Sequence, residues 1–218
     1  MSGNGLFVTG TGTDVGKTVV AAVIARNAAA GGTRVRVFKP AVSGLAEPGE
    51  ADHELLRRAA GSPQTDEQIA PYRYGPPLSP HLAAELVGER IEAERLRAAA
   101  AAAAADAELL VCEGVGGLLV PLSAEYLVRD LARDLGYPVV VVAAPGLGTI
   151  NHTLLTIEAV RAAGLNPTRV VLTPWPAEPG ALEHSNRETI AAIAAIKVAT
   201  LAELALDAPE TWPELGLS

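Results

Sequence analysis

The stretch Gly10-Thr11-Gly12-Thr13-Asp14-Val15-Gly16-Lys17-Thr18 decides how this chain folds. It follows a short apolar run, Leu6-Phe7-Val8, and precedes a run typical of a helix, from Val19 to Ala30. A strand, a glycine-rich turn, Lys-Thr and a helix are the layout of a phosphate-binding loop. In such a loop, backbone N–H groups hold phosphate oxygens, the lysine reaches the outer phosphates and the threonine hydroxyl ligates Mg²⁺. We therefore predict a nucleotide-phosphate site at this loop.

The spacing of this loop departs from the standard pattern, in which about four residues separate the first glycine from Gly-Lys-Thr. Here three residues separate Gly12 from Gly16, and five separate Gly10 from Gly16. The loop is therefore a variant, and the variant narrows the choice of family.

The composition indicates one acidic domain in a reducing compartment. Domains have about 150 residues on average, so we expect the 218 residues of this chain to form a single domain, 1–218. With 17 basic and 25 acidic residues, the net charge of −8 disfavours a nucleic-acid partner. The one cysteine, Cys112, cannot form an internal disulfide. The sequence shows neither a signal-peptide pattern at Met1–Gly5 nor a membrane-spanning apolar run, so we expect a cytoplasmic protein without a membrane partner.

Short β-branched apolar runs alternate with longer runs rich in Ala, Leu, Glu and Arg. The predicted strands are Leu6–Thr9, Arg34–Phe38, Leu109–Cys112, Val139–Ala143, Arg169–Leu172 and Lys197–Ala199. The predicted helices are Lys17–Ala30, Asp52–Ala60, Pro80–Val87, Ile91–Ala105, Tyr126–Leu135, Ile150–Ala163 and Ala181–Ile193. This alternation predicts an α/β fold with a doubly wound, mostly parallel sheet and helices on both faces.

Two charged residues stand where predicted strands end. Lys39 ends the second strand, where it is either a second cation facing the phosphates or a solvated lysine. Glu113 follows the third strand and precedes Gly114-Val115-Gly116-Gly117. A carboxylate there could hold Mg²⁺, directly or through water, or could be an ordinary loop acid.

Three further positions leave two interpretations each. Asp52 opens a helical run and is either an N-cap or a third metal ligand beside Thr18 and Glu113. Asp14 within the loop is either an Asx-type turn residue or faces a cationic group or the nucleoside. The stretch Gly146–His152 opens a helix, so its N–H groups form either an anion site or a plain glycine turn.

Taken together, five motifs resemble the dethiobiotin synthetase family. They run in that family's order from residue 10 to residue 152: Gly10–Thr18, Lys39–Gly44, Pro77–His81, Glu113–Gly117 and Leu147–His152. The resemblance implies the P-loop NTPase form of the fold. It also implies an enzyme that uses Mg²⁺ and ATP, or another nucleoside triphosphate, to close a cyclic urea on 7,8-diaminopelargonate with CO₂ (from bicarbonate). That reaction proceeds through a carbamate and a carbamic–phosphoric anhydride in biotin biosynthesis.

The resemblance also assigns roles to residues. Lys17 and Lys39 would be catalytic, and Thr18, Asp52 and Glu113 would ligate the metal. The nucleotide would be bound by Asp14, Val15, Gly16, Lys17, Thr18, Val19, Asp52, Glu113, Gly114, Val115, Gly116, Thr173, Pro174, Ala202, Glu203 and Leu204. The diamine would be bound by Thr13, Lys39, Ser43, Gly148, Thr149, Ile150 and Asn151. In the family the last four come from a second subunit, which implies a homodimer with shared active sites.

One stretch departs from the family pattern. Many members carry an Asn-Asp pair after the fifth strand, where the amide contacts adenine, and this chain has Thr173-Pro174 instead. Proline has no N–H to donate, and threonine lacks the paired donor and acceptor of an amide. We therefore predict looser selectivity for the nucleotide base.

The main alternative is a P-loop ATPase switch of the partition or septum-positioning type. The loop of those proteins carries an additional lysine near its start. The loop here begins Gly10-Thr11-Gly12, which disfavours this alternative.

Overall fold

The computed structural model describes residues 5–215 and contains one large sheet and one small hairpin. Residues 1–4 and 216–218, the two ends of the predicted single domain, lie outside the described part. The strands are β1 (Gly5–Gly10), β2 (Val35–Phe38), β3 (Leu109–Gly117), β4 (Pro121–Ser123), β5 (Tyr126–Leu127), β6 (Val139–Ala143), β7 (Pro167–Trp175) and β8 (Lys197–Ala202). The helices are α1 (Lys17–Ala30), α2 (Asp52–Ala60), α3 (Asp66–Ile69), α4 (Pro80–Leu86), α5 (Ala93–Ala105), α6 (Val128–Leu135), α7 (Thr149–Ala162) and α8 (Ala181–Ala194).

The large sheet has six strands in the order β2-β3-β1-β6-β7-β8. Every neighbouring pair is parallel, and β1 lies between β3 and β6. Parallel strands end at one edge, so the carboxyl ends of β1, β2 and β3 lie side by side. The predicted doubly wound α/β fold is confirmed.

Alternate residues of the central strands supply the cores on the two faces of the sheet. On β1, Phe7 packs into one buried cluster together with Leu96, Leu131 and Ile157 from helices α5, α6 and α7. The next residue, Val8, packs into a second cluster with side chains of α1 and α2. A strand covered on both faces must be apolar throughout, which explains the run of valines in β6.

Three local predictions were wrong. Tyr126 does not begin a helix but pairs with Ser123 in the β4–β5 hairpin, and α6 begins at Val128. The third strand, predicted to end at Cys112, continues to Gly117. The segment Asp66–Ile69, for which no helix was predicted, forms the short helix α3, which Thr65 caps.

The outer edge of β2 is covered by the segment that follows α2. The N–H of Val37 donates to Oε1 of Gln64 (2.9 Å), and Nε2 of Gln64 donates to the carbonyl of Val37 (3.0 Å). Two residues further along the chain, the N–H of Lys39 donates to the carbonyl of Ile69 (2.9 Å). These hydrogen bonds fix the position of the Lys39 backbone at the edge of the sheet.

Among residues 5–215, none of the helices combines the length and the apolar character needed to cross a bilayer.

Candidate active site

The phosphate-binding loop joins β1 to α1 and ends at Gly16, which has a left-handed backbone (φ 86°). Glycine adopts this conformation without the steric cost that a side chain would add. The loop lysine, Lys17, is 7% exposed, and its Nζ donates to the carbonyl of Gly12 at 2.7 Å. Burial lowers the pKa of Lys17, although the neighbouring Glu113 opposes this effect.

The hydroxyl of Thr18 lies between two carboxylates. Its Oγ1 is 3.0 Å from Oδ1 of Asp52 and 2.8 Å from Oε1 of Glu113. Helix α2 begins at Asp52 and its N-cap is Ala51, so the capping interpretation of Asp52 was wrong. The carboxylate of Asp52 instead contacts Thr18 on α1 and Lys39 at the end of β2.

Lys39 completes this cluster from the end of β2. Its Nζ lies 2.8 Å from Oε1 of Glu113 and 3.0 Å from Oδ2 of Asp52, and the side chain is 3% exposed. The interpretation of Lys39 as a solvated lysine was therefore wrong. Burial lowers the pKa of Lys39, but the two carboxylates outweigh it and hold the pKa above its usual value.

The two carboxyl groups respond differently to this environment. Burial raises the pKa of Glu113, which is fully enclosed in β3, against the effect of Lys39. Burial also raises the pKa of Asp52, but Lys39, Thr18 and Lys17 together lower it by more, so the net shift is downward. Removing the ammonium group would leave the buried carboxylate of Glu113 facing that of Asp52, whose side chain is 45% exposed, without the cation that bridges them.

The oxygens of this cluster fit a magnesium ion. Oε2 of Glu113 is buried and has no hydrogen-bond partner among residues 5–215. The same part of the chain has no group of three or more His, Cys, Asp or Glu side chains suited to a metal. The available set is therefore two carboxylates and the Thr18 hydroxyl. Mg²⁺ prefers few protein oxygens and completes its octahedron with water and phosphate, so this set suits it.

A cavity of about 700 Å³ opens beside the cluster. It brings together three residues that the sequence assigned to the substrate: Thr13, Lys39 and Ser43. Asp14 is exposed at its wall, in a left-handed conformation (φ 56°). The remaining wall comes from the connection after β2, the start of α4 and the end of β3.

A second groove, of about 460 Å³, lies against the first cavity and shares Thr13 and Val120 with it. Its outer wall is α7, where Leu155 is 56% exposed. The predicted anion site Gly148–Asn151 lines neither cavity within the described chain. The sequence did not predict that Val120 and Leu155 line these cavities. An isolated apolar residue gives no indication in the sequence that it borders a cavity.

The predicted base contacts lie on the opposite side of the loop, at the ends of β7 and β8. Thr173 is buried and packs on the phosphate-binding loop, whereas Pro174 is exposed. Ala202 ends β8 and pairs in register with Trp175. After it, Glu203 is exposed and Leu204 is half-buried.

Structural comparison identifies proteins with the same fold. The Signal Recognition Particle 54 kDa protein of Aeropyrum pernix, in complex with GDP, aligns with a TM-score of 0.54 at 15% identity. That alignment covers 94% of this chain and 43% of the other. The cell division protein FtsY of Thermotoga maritima aligns with a TM-score of 0.51 at 16% identity, over 94% of this chain and 63% of the other. These likenesses support the P-loop architecture alone.

Sequence comparison is more specific. The model of an AAA domain family matches residues 4–208. The ATP-dependent dethiobiotin synthetase BioD of Anaeromyxobacter dehalogenans is 50% identical over 169 residues, which cover 77% of this chain and 75% of that protein. Its namesake in Rhodococcus jostii is 44% identical over 199 residues, covering 88% of this chain and 83% of that protein. The chain therefore belongs to the family of ATP-dependent dethiobiotin synthetases.

Proposed function

We propose that this chain is an ATP- and Mg²⁺-dependent cyclo-ligase that converts 7,8-diaminopelargonate and CO₂ to dethiobiotin. The observation that carries the proposal is the cluster of Thr18, Lys39, Asp52 and Glu113, which stands between the phosphate-binding loop and the cavity of about 700 Å³. This layout suits a reaction in which a second substrate attacks a nucleotide phosphate. The names of the relatives point to the same product.

The chemistry needs no protein nucleophile. One amine of the substrate adds to CO₂ and loses a proton, which gives a carbamate. A carbamate oxygen attacks the γ-phosphorus, and the nucleoside diphosphate leaves. The second amine attacks the carbonyl carbon of the resulting carbamic–phosphoric anhydride, loses a proton, expels phosphate and closes the cyclic urea.

Two lysines offset the repulsion between the two anionic reactants. Lys17, from the loop, would reach the outer phosphates, and Lys39 lines the cavity where the carbamate would form. Fixed cations stabilise charge that develops in the transition state, and they do so more strongly in a site that excludes water. Holding the two reactants together supplies a further part of the rate.

Thr18, Asp52 and Glu113 would hold the Mg²⁺, which when bound neutralises phosphate charge. The Thr18 hydroxyl already donates to Oε1 of Glu113, and Oε2 of Glu113 has no hydrogen-bond partner among residues 5–215. Thr13 and Ser43 would orient the amines of the substrate from the cavity wall.

Around the nucleotide, Asp14–Val19 would cradle the phosphates, and Gly114–Gly116 would allow close approach of the backbone. Thr173, Pro174 and residues 202–204 would flank the base. The packing of Thr173 on Gly16 supports this arrangement because it puts the end of β7 next to the loop.

A second copy of the chain would complete each site. In this proposal the N–H groups of Gly148–Asn151 capture the substrate carboxylate in the cavity of the partner. Two observations support it: these residues line neither cavity of their own chain as described, and two large apolar side chains close to them in sequence are exposed. Leu147 is 91% exposed and Leu155 is 56% exposed.

The deciding experiment incubates the protein with the diamine, bicarbonate, Mg²⁺ and ATP, and follows both diphosphate release and the ureido product. We expect diphosphate release that depends on the diamine, with one product formed per nucleotide cleaved. Diphosphate release that proceeds equally without the diamine, with no ureido product, would overturn the assignment.

A further inference from the structure

The ammonium group of Lys39 stands among the oxygens expected to bind the metal. Its Nζ lies 2.8 Å from Oε1 of Glu113 and 3.0 Å from Oδ2 of Asp52. Oε1 of Glu113 also accepts from the hydroxyl of Thr18 at 2.8 Å. One oxygen, already shared by two donors, is therefore common to the lysine and to the expected metal site.

A divalent cation and this ammonium group compete for the same carboxylates. Mg²⁺ requires ligand oxygens at about 2.0–2.1 Å in a nearly octahedral arrangement. Two like charges that share a ligand repel each other, and the repulsion is stronger where burial reduces screening by water. Lys39 is 3% exposed, so little water screens it.

We propose that Lys39 occupies the carboxylates of Asp52 and Glu113 until a divalent cation arrives, and that its ammonium group then moves into the cavity that receives the diamine. This inference rests on the proposed function, since the metal and the diamine come from it. The lysine thus has two positions: one bridges the carboxylates of Asp52 and Glu113, and the other faces the carbamate. The enzyme assembles its catalytic lysine only when the metal is present.

The surroundings of Lys39 allow this movement. Its backbone is fixed, since its N–H is bonded to Ile69, whereas the side chain has a flexible four-carbon stem. The side chain already forms part of the wall of the cavity of about 700 Å³. The other lysine of the site, Lys17, bonds the carbonyl of Gly12 instead of a carboxylate, so the competition is specific to Lys39.

A first test measures the affinity for Mn²⁺ or Mg²⁺ by calorimetry, without nucleotide or diamine. We expect Lys39→Met to bind the metal at least about tenfold more tightly than the unmodified protein, which corresponds to about 1.4 kcal/mol. Lys17→Met removes the same charge from the same site without freeing a carboxylate, so its gain in metal affinity should be much smaller. Lys39→Arg keeps a cation on the carboxylates and should show no gain. Equal gains for the two methionine variants, or none for Lys39→Met, would overturn the inference.

A second test uses the unmodified protein and does not depend on the folding of a variant. The chain has only three lysines, Lys17, Lys39 and Lys197, so the spectrum of protein labelled with ¹³C,¹⁵N-lysine is simple to assign. We expect the side-chain signals of Lys39 to shift strongly when Mg²⁺ is added to the ADP complex, while those of Lys197 do not. Metal binding with the Lys39 signals unchanged would overturn the inference.

Neither test requires turnover. If the diamine assay fails but Lys39 is still displaced by the metal, only the proposed function is refuted. A working diamine assay with Lys39 stationary would refute only the movement of the lysine.

Discussion

Thr173 packs directly against Gly16 of the phosphate-binding loop: a Cβ built on Gly16 would lie 2.6 Å from Cγ2 of Thr173. Thr173 is buried near the end of β7, so the sheet supports the loop from the side where the base is expected. The residue predicted to contact the base therefore serves as packing for the loop. This contact joins the phosphate side of the site to the base side.

The first prediction concerns Gly16→Ala, with Gly32→Ala as the matched control. Both glycines have φ near +86°, and a Cβ at Gly32 would meet no atom of residues 5–215 within 4 Å. Each variant should lose about 1–2 kcal/mol of stability through the left-handed backbone. Only Gly16→Ala also displaces Thr173, so it alone should weaken ADP binding, by about tenfold or more. Calorimetric ADP titrations and thermal melts separate the two effects, and equal affinities in both variants would contradict the prediction.

The second prediction is weak selectivity for the base. Thr173 is held against the loop and offers a single hydroxyl, and Pro174 offers no N–H, so neither reads the edge of adenine as an amide would. Steady-state rates with ATP, CTP and GTP at saturating diamine should agree within about threefold, less than one well-made hydrogen bond would discriminate. A strong preference for ATP alone would show that the base is read elsewhere.

The third prediction concerns the two buried lysines of the site. Lys17→Gln and Lys39→Gln should each lower turnover by about 10²–10³-fold, because each removes a fixed cation from the transition state. Lys197→Gln, on the exposed end of β8, should keep its activity and is the control. Circular dichroism should show the fold intact in all three. Unchanged turnover in either site variant would remove that lysine from its role.

The fourth prediction tests the shared active site. Lys17→Gln and Asn151→Leu should each be inactive alone, the second because it blocks the N-terminus of α7. If the sites lie between subunits, an equal mixture after exchange should recover about a quarter of the full activity, since half of the dimers carry one intact site of two. Light scattering should give twice the mass of one chain. A mixture that stays inactive, although the subunits have exchanged, would place the whole site within one chain.

The local parts of the fold could be predicted because their signals are local. Helices α1 and α2 begin and end at the predicted residues, since a lysine-threonine helix start and an amphipathic run are each visible in a short window. The β4–β5 hairpin was missed because strands of three and two residues are too short for alternation to show. Glu113 was expected just after β3, but β1 pairs with Glu113 and with Gly117, and this pairing extends β3.

The chemistry of the site could be predicted by residue type but not by contact. Lys39 and Glu113 are 74 positions apart, and only the order β2-β3-β1 puts them within 2.8 Å. The double role of Asp52, between Thr18 and Lys39, is likewise a product of the fold. The residue types at the strand ends therefore predicted a metal site and nearby cations. The ion pair between Lys39 and Glu113 could be seen only in the structure.

The amide of Gln64 has a consequence for the behaviour of the protein in solution. The outer strand of an open sheet offers its N–H and C=O groups to strands of other molecules, which leads to aggregation. At Val37, the side chain of Gln64 donates and accepts one hydrogen bond each, as a neighbouring strand would. Its amide therefore takes the place of a seventh strand at this point, and a strand from another molecule would first have to displace the Gln64 side chain. Replacing Gln64 with alanine would expose a template for intermolecular pairing close to Lys39, so we expect solubility and activity to decline together.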